Sequence, residues 1–224
     1  VSNEKGFSVF IKNHPLISYF ILAYGVMWFF ISPMVIDALE LAAIPDALSL
    51  VSYILSSLLG PTVAAFWVTN VLEGKEGMRA LRQRMFQFRA GLQWYVIIFI
   101  VPLVIWIGAY GFVYNGAPFT NLLANPSLLL SVFLPGVLIG LVIPSIGEEP
   151  GWRGFALPRL QKQYGPIVGT LILGTLHGVW HLPALLTPLF DPFTLEGFTH
   201  FVLTAIVATF LYTWVYNGSR GNVW

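Results

Sequence analysis

The chain has no cysteine among its 224 residues, so disulfides and thiolate-ligated metal sites are excluded. It is also poor in charge. Asp, Glu, Lys and Arg make up 9% of it, where a water-soluble domain carries about 25%. That few charges cannot cover a surface facing water, which excludes a soluble globular domain. The net charge of +1 by itself says nothing about nucleic acid; as an integral membrane protein the chain is expected to have no nucleic-acid partner. Internal repeats and low-complexity linkers are lacking too, which leaves a single domain over 1–224.

What is abundant is apolar. The chain is 57% hydrophobic with a mean hydropathy of +0.77, and an integral membrane protein in a lipid bilayer is the class that fits. Six runs are long enough to cross a bilayer as helices: 15–36, 48–72, 91–114, about 127 to the glutamate pair, 165–181 and 198–216. Gly60-Pro61, Pro135-Gly136 and Pro144 predict kinks. Between the second and third runs, residues 73–90 set Arg79 and Arg82 against Leu81, Met85, Phe86 and Phe88 at helical spacing. This predicts a basic amphipathic helix in the membrane interface. The expected fold is all-α: a polytopic transmembrane helix bundle of six spans with one interfacial helix.

Charge sets the orientation. With a cytoplasmic N-terminus, six spans put 1–13, 73–90, 147–164 and 217–224 on one side. All eleven Lys and Arg residues fall there. The opposite loops hold Asp37, Glu40, Asp46, Asp191 and Glu196 and no base. Cytoplasmic loops are those rich in Lys and Arg, so the N-terminus is expected inside. The glutamate pair is then expected at the cytoplasmic end of the fourth span.

Ionisable groups inside apolar runs are costly and usually functional. Residues 144–181 hold most of them here. In P-S-I-G-E-E-P-G-W-R-G-F, Glu149 and Arg153 are i,i+4 and face each other on a helix. Glu148 points elsewhere and remains in an apolar setting that suits a general base. A salt bridge that merely ends the helix is the plainer alternative. The second glutamate, and the space cleared by Gly147, Gly151 and Gly154, weigh against it. Further on, T-L-H-G-V-W-H-L-P sets His177 and His181 one turn apart. H-x-x-x-H is the spacing of a two-histidine metal site, but Gly178 stands where zinc peptidases of that type carry a glutamate. On spacing alone the metal signal is weak, and a histidine can equally bond a neighbouring helix.

Taken together, these segments resemble a known family. G-E-E-P-G-W-R-G-F-A-L-P-R-L matches the E-E-x-x-x-R motif of the CAAX protease and bacteriocin-processing (CPBP) family of intramembrane endopeptidases. W-H-L-P is similar to the end of its F-x-x-x-H motif, and T-W-V-Y-N-G-S-R-G-N resembles the turn before its H-x-x-x-N motif. The resemblance covers about residues 70–224, with the family's catalytic core over about 127–224. It implies a helix bundle whose polar site lies within the membrane and opens toward the cytosol. Glu148 becomes the water-activating residue, Glu149 and Arg153 its supporting pair, and His181 the second-motif histidine. His177 stands where the family has Phe, and with Trp152 and Trp180 is expected to support the site without reacting. The third motif falls due on a further span shortly after Trp224, so the chain is expected to be clipped.

The resemblance leaves two routes open. Zinc or another divalent ion is held by Glu148 and His181, or the same residues activate water without a metal. The implied substrate is a peptide or protein at the membrane, cut near the cytoplasmic face in CAAX-type or bacteriocin-related processing. The compact family members imply a bacterial plasma membrane. Two rivals are weighed against this reading. One is a non-catalytic immunity or scaffold protein that shares the fold. The other is a proton-coupled transporter, disfavoured because two repeats with paired broken helices are not found.

Overall fold

A computed structural model describes residues 6–86, 90–190 and 192–221, and among these the chain is all-α. Helix α1 (Gly6–Asn13) leads into α2 (Pro15–Ala38), and α3 (Asp46–Met85) returns beside it. α4 (Leu92–Val113) and the short α5 (Ala117–Ala124) follow. A π turn at Leu129–Phe133 runs into α6 (Leu134–Gly147), and α7 (Glu149–Gly151) into a second π turn at Trp152–Ala156. α8 (Leu157–Trp180), a 3-10 turn at Ala184–Leu186 and α9 (Leu195–Gly218) complete the bundle.

Packing along α2 follows from residue size. Tyr19, Ala23, Met27 and Ile31 recur every fourth position and are almost fully buried, facing Ala64, Ala65 and Val68 of α3 in one core. Ile17, Ile21 and Phe29, on the other side of the same helix, are exposed. Large apolar patches of this kind belong against lipid. Among the described residues five helical runs, not the six expected, are long and apolar enough to cross a membrane: 15–38, 46–85, 92–113, 145–186 and 195–218. The expected fourth run gives only a shorter apolar helix, Leu129–Ile139, because the helical course breaks beside the glutamate pair and restarts through 145–186. The protein is an integral membrane helix bundle.

Two glycines with positive φ redirect long helices, a conformation that costs a residue without Cβ little. At Gly74 (φ 62°, ψ −151°) α3 leaves its apolar course. Beyond it Gly77, Leu81 and Met85 are buried at four-residue spacing, while Phe86 is 64% exposed. The apolar stripe of the basic segment therefore packs on the protein. Phe88 and Arg89 of that segment, with Lys5 and Asp191, lie outside the described residues, as do the side chain of Pro144 and its expected kink. At Gly165 (φ 79°, ψ 168°) α8 turns back on itself. Gly169 consequently sits on the Leu160 backbone, a contact that a straight helix forbids at nine residues' separation.

The depth of the glutamate pair differs from the sequence expectation. It lies level with the middle of α3, not at the end of a span. Gly147 rests on the Ser57 carbonyl and Gly151 on Pro61, whereas Arg159 meets Glu73 at the basic end of α3 with a 2.7 Å ion pair. The reason is that α6 is only part of that crossing. The chain continues through α7, the π turn and the first half of α8 before Gly165 reverses it.

A Cβ at Gly147 would collide with the Ser57 carbonyl, while one at Gly25 of α2 meets nothing within 4 Å. Gly147→Ala is expected to cost about 1–3 kcal/mol through overpacking, with Gly25→Ala neutral or stabilising. Thermal unfolding of the two variants in detergent checks both.

Candidate active site

The site begins with missing backbone donors. Proline has no N–H, so Pro150 releases the carbonyl of Ile146 from the helical ladder, and Pro61 releases that of Ser57. The Thr62 hydroxyl meets the Ile146 and Gly147 carbonyls at 2.8 Å each. The one hydroxyl hydrogen is thus shared between the Ile146 and Gly147 carbonyls across the α3–α6 contact. Past this break the Glu148 carbonyl accepts from the backbone N–H of both Gly151 and Trp152, each at 2.9 Å. The helix restarts there in a new direction. A π turn follows at once, a feature frequent where helices carry function.

This geometry sends the two glutamates opposite ways. Glu149 accepts from Arg153 Nη1 at 2.8 Å, and the arginine side chain is 3% exposed. Its guanidinium lies 4.3 Å from the centre of the Tyr212 ring of α9, a cation–π contact of the kind that gains strength when dry. Among the described residues, Arg153 Nε and Nη2 have no hydrogen-bond partner. Glu148 turns toward α8. Its Oε2 accepts from Trp152 Nε1 at 3.2 Å and lies 3.0 Å from His177 Nε2. With Oε2 engaged twice, Oε1 is the oxygen left to act.

The histidines are held by their own helix and by α2. His181 Nδ1 is 3.1 Å from the His177 carbonyl. A carbonyl only accepts, so Nδ1 carries the proton and Nε2 keeps its lone pair. Between the two, Trp180 is pinned from both ends. Its Nε1 donates to the Ala23 carbonyl and its own carbonyl accepts from Trp28 Nε1, each at 3.1 Å. Tyr24 donates to the Leu176 carbonyl one turn earlier. Trp152 and Trp180 pack edge to face at 5.7 Å, and Trp152 lies 5.0 Å from the His177 ring. Gly174 and Gly178 allow α9 to lie directly against α8, on Ile206 and Val202.

The fold therefore brings Glu148, His177 and His181 together, with one ligand atom from each within 4.8 Å of the others. Glu148 and His181 also border a cavity of about 190 Å³ with Ser56, Ser57, Tyr53 and Ile143. Glu149 and Arg153 sit beneath it as a separate pair. His177, expected from sequence only to support the site, touches the Glu148 carboxylate directly. Thr62 and Tyr212 were not singled out from sequence at all. A threonine directly after a mid-helix proline is a faint signal for the first, and the second had none. A carboxylate, two imidazoles and a fixed tautomer form the donor set of a catalytic zinc-type site, three protein ligands with a place left for water. The residues fit such an ion.

Residues 130–224 match the family described as "Rce1-like: Type II CAAX prenyl endopeptidase Rce1-like". The chain is similar to CAAX prenyl protease 2 of Methanococcus maripaludis, 24% identical over 129 residues, which cover 55% of this chain and 48% of the relative. The chain thus spans about half the length of the curated relative that it matches.

Removing one partner of the buried pair leaves an uncompensated charge. Arg153→Met is expected to lower stability by about 3 kcal/mol, and Glu149→Leu in the same chain to restore most of it. Denaturant unfolding of the single and double variants in mixed micelles measures the difference.

Proposed function

Because residues 130–224 match the Type II CAAX prenyl endopeptidase Rce1-like family, we propose that the protein is an intramembrane endopeptidase. It hydrolyses a peptide bond at the cavity bordered by Glu148 and His181, in the CAAX-type branch of substrates. The observation that carries this reading is the meeting of Glu148, His177 and His181 inside an apolar bundle. The family match favours CAAX-type tails over bacteriocins, for which no residue here speaks.

The chain's own groups suit water activation. Glu148 borders the cavity while Trp152 and His177 hold its Oε2, so the carboxylate is oriented before water arrives. A water between Glu148 and His181 gives its proton to the carboxylate as its oxygen attacks the scissile carbonyl. The Nε2 of His181 accepts a hydrogen bond from the water's remaining O–H, which stays on the attacking oxygen, and so directs the lone pair. Glu148 then returns the proton to the departing amine. Charge that builds during attack is worth more here than in water, because the surroundings are dry. The Glu149–Arg153 pair lies at the π turn beside the site and supports it.

Glu148, His177 and His181 would hold a divalent ion if one is used. When bound, such an ion supplies Lewis-acid polarisation and a more acidic water. His177 is the donor that sets this chain apart, since the family motif has Phe in its place.

Glu148→Gln is expected to lower turnover about 10²–10⁴-fold without loss of folding, read by release of the C-terminal tripeptide from a farnesylated CAAX peptide. Unchanged turnover would remove Glu148 from the reaction, and no release by the unsubstituted protein would indicate a non-catalytic relative. His177→Phe is expected to weaken Co²⁺ binding at least several-fold, followed by the visible absorption of the ion. Equal binding by the two proteins would remove His177 from the donor set.

A further inference from the structure

Attack by water moves negative charge from the Glu148 carboxylate to the carbonyl oxygen of the scissile bond. As Glu148 takes the water's proton, the π electrons of that carbonyl pass to its oxygen, which becomes an oxyanion. In a dry site the oxyanion needs a donor already in place. The side-chain donors around Glu148 are engaged elsewhere. Trp180 Nε1 donates to the Ala23 carbonyl, and Trp152 Nε1 to Glu148 itself. His181 carries its proton at Nδ1 and so presents a lone pair at Nε2. Arg153 lies beneath the cavity against Glu149.

The helix α3 contributes Tyr53, Ser56 and Ser57 to the cavity wall. These hydroxyls differ in what their own helix leaves them. A serine inside a helix often returns its hydroxyl to a carbonyl three or four residues back. For Ser56 and Ser57 alike, the Tyr53 carbonyl lies within that reach. Ser56, 1% exposed, takes it at 2.8 Å, and the helical ladder gives the same oxygen the N–H of Ser57. Both lone pairs of that oxygen are then in use. Among the described residues the Ser57 hydroxyl makes no hydrogen bond, and Ser57 borders the same cavity as Glu148 and His181. Depth favours Ser57 over Tyr53, which stands one turn nearer the start of α3. Gly147, the residue before Glu148, rests so closely on the Ser57 carbonyl that a Cβ there would stand 2.0 Å from the oxygen. That contact fixes Ser57 beside Glu148 before any substrate arrives. A cavity of about 190 Å³ brings its opposite walls within reach of one peptide group.

We propose that Ser57 is a further catalytic residue, whose hydroxyl donates a hydrogen bond to the carbonyl oxygen of the scissile bond. The bond strengthens as the oxyanion forms, and the serine keeps its proton throughout. When the C–N bond breaks, the electron pair on the oxygen re-forms the carbonyl and the hydrogen bond relaxes. This role rests on the hydrolase reading above and adds the group that receives the charge.

Ser57→Ala in the full chain removes one oxygen at a position where alanine suits the helix, and thermal unfolding checks that the fold is kept. Release of the C-terminal tripeptide from the farnesylated CAAX peptide is expected to fall about 10²-fold in kcat, with KM little changed. A phosphinate at the scissile position of the same peptide carries a tetrahedral anion, and its affinity is expected to fall by a similar factor. Uncut peptide, measured in the Glu148→Gln background, is expected to bind equally well with and without the serine hydroxyl. A purely structural role would weaken both ligands alike, and that result would overturn the proposal. So would a kcat within about threefold of the unsubstituted protein, or a larger loss in Tyr53→Phe than in Ser57→Ala. Each of these outcomes leaves the hydrolase reading standing as long as the unsubstituted protein releases the tripeptide. No release by that protein removes both.

Discussion

A charge inside an apolar bundle has no water to solvate it, so the protein must supply the dipoles that water would have provided. That constraint shapes everything around residues 146–181. Arg153 is enclosed by the Glu149 carboxylate and the face of Tyr212. Glu148 is enclosed by an indole N–H and an imidazole. Each partner costs conformational freedom and is worth that cost only because the alternative, an orphaned charge in low dielectric, is far worse. Trp152, Trp180, Tyr19 and Phe155 answer the same constraint in another way, by excluding lipid and water from the space beneath the carboxylate.

Backbone breaks do the positioning. A continuous α-helix over 134–164 would satisfy its own carbonyls and keep adjacent glutamates on one smooth surface. Pro150 and Pro61 prevent that by removing donors on two facing helices, and Thr62 donates across the gap to the carbonyls beside the Pro150 break. The outcome is a joint at Glu148. From it one carboxylate faces the cavity and the other faces the arginine. The small residues Gly147 and Gly151 let the joint lie against α3, and Gly174 and Gly178 let α9 approach α8. Rigid helices on three sides then hold the reacting groups in place, which is the condition for catalysis by orientation.

Much of this was legible along the chain, and the reasons are local. Apolar run length gives a helix bundle, because a bilayer accepts backbone only where it bonds itself. The i,i+4 spacing of Glu149 and Arg153 gives their pairing, since a helix brings such residues face to face. Gly165-Pro166 marks the reversal of α8, because glycine alone takes the positive φ cheaply. His177 was harder to read. Position four residues before His181 says that the two share a face, but not what that face meets. The π turn at Trp152–Ala156 and the role of Thr62 had no usable signal either, as each depends on what the facing helix offers.

The amino-acid order by itself determined the membrane class, the all-α character and the identity of the glutamate–arginine pair. Each of these follows from neighbours a few residues apart or from transfer into lipid. Only the tertiary structure decided that Glu148 lies at mid-depth, that His177 bonds to it, and that Ser57 of α3 borders the same cavity. Those facts come from contacts between α2, α3, α6 and α8, more than a hundred residues apart in places, and packing between distant segments leaves no periodic trace in either one.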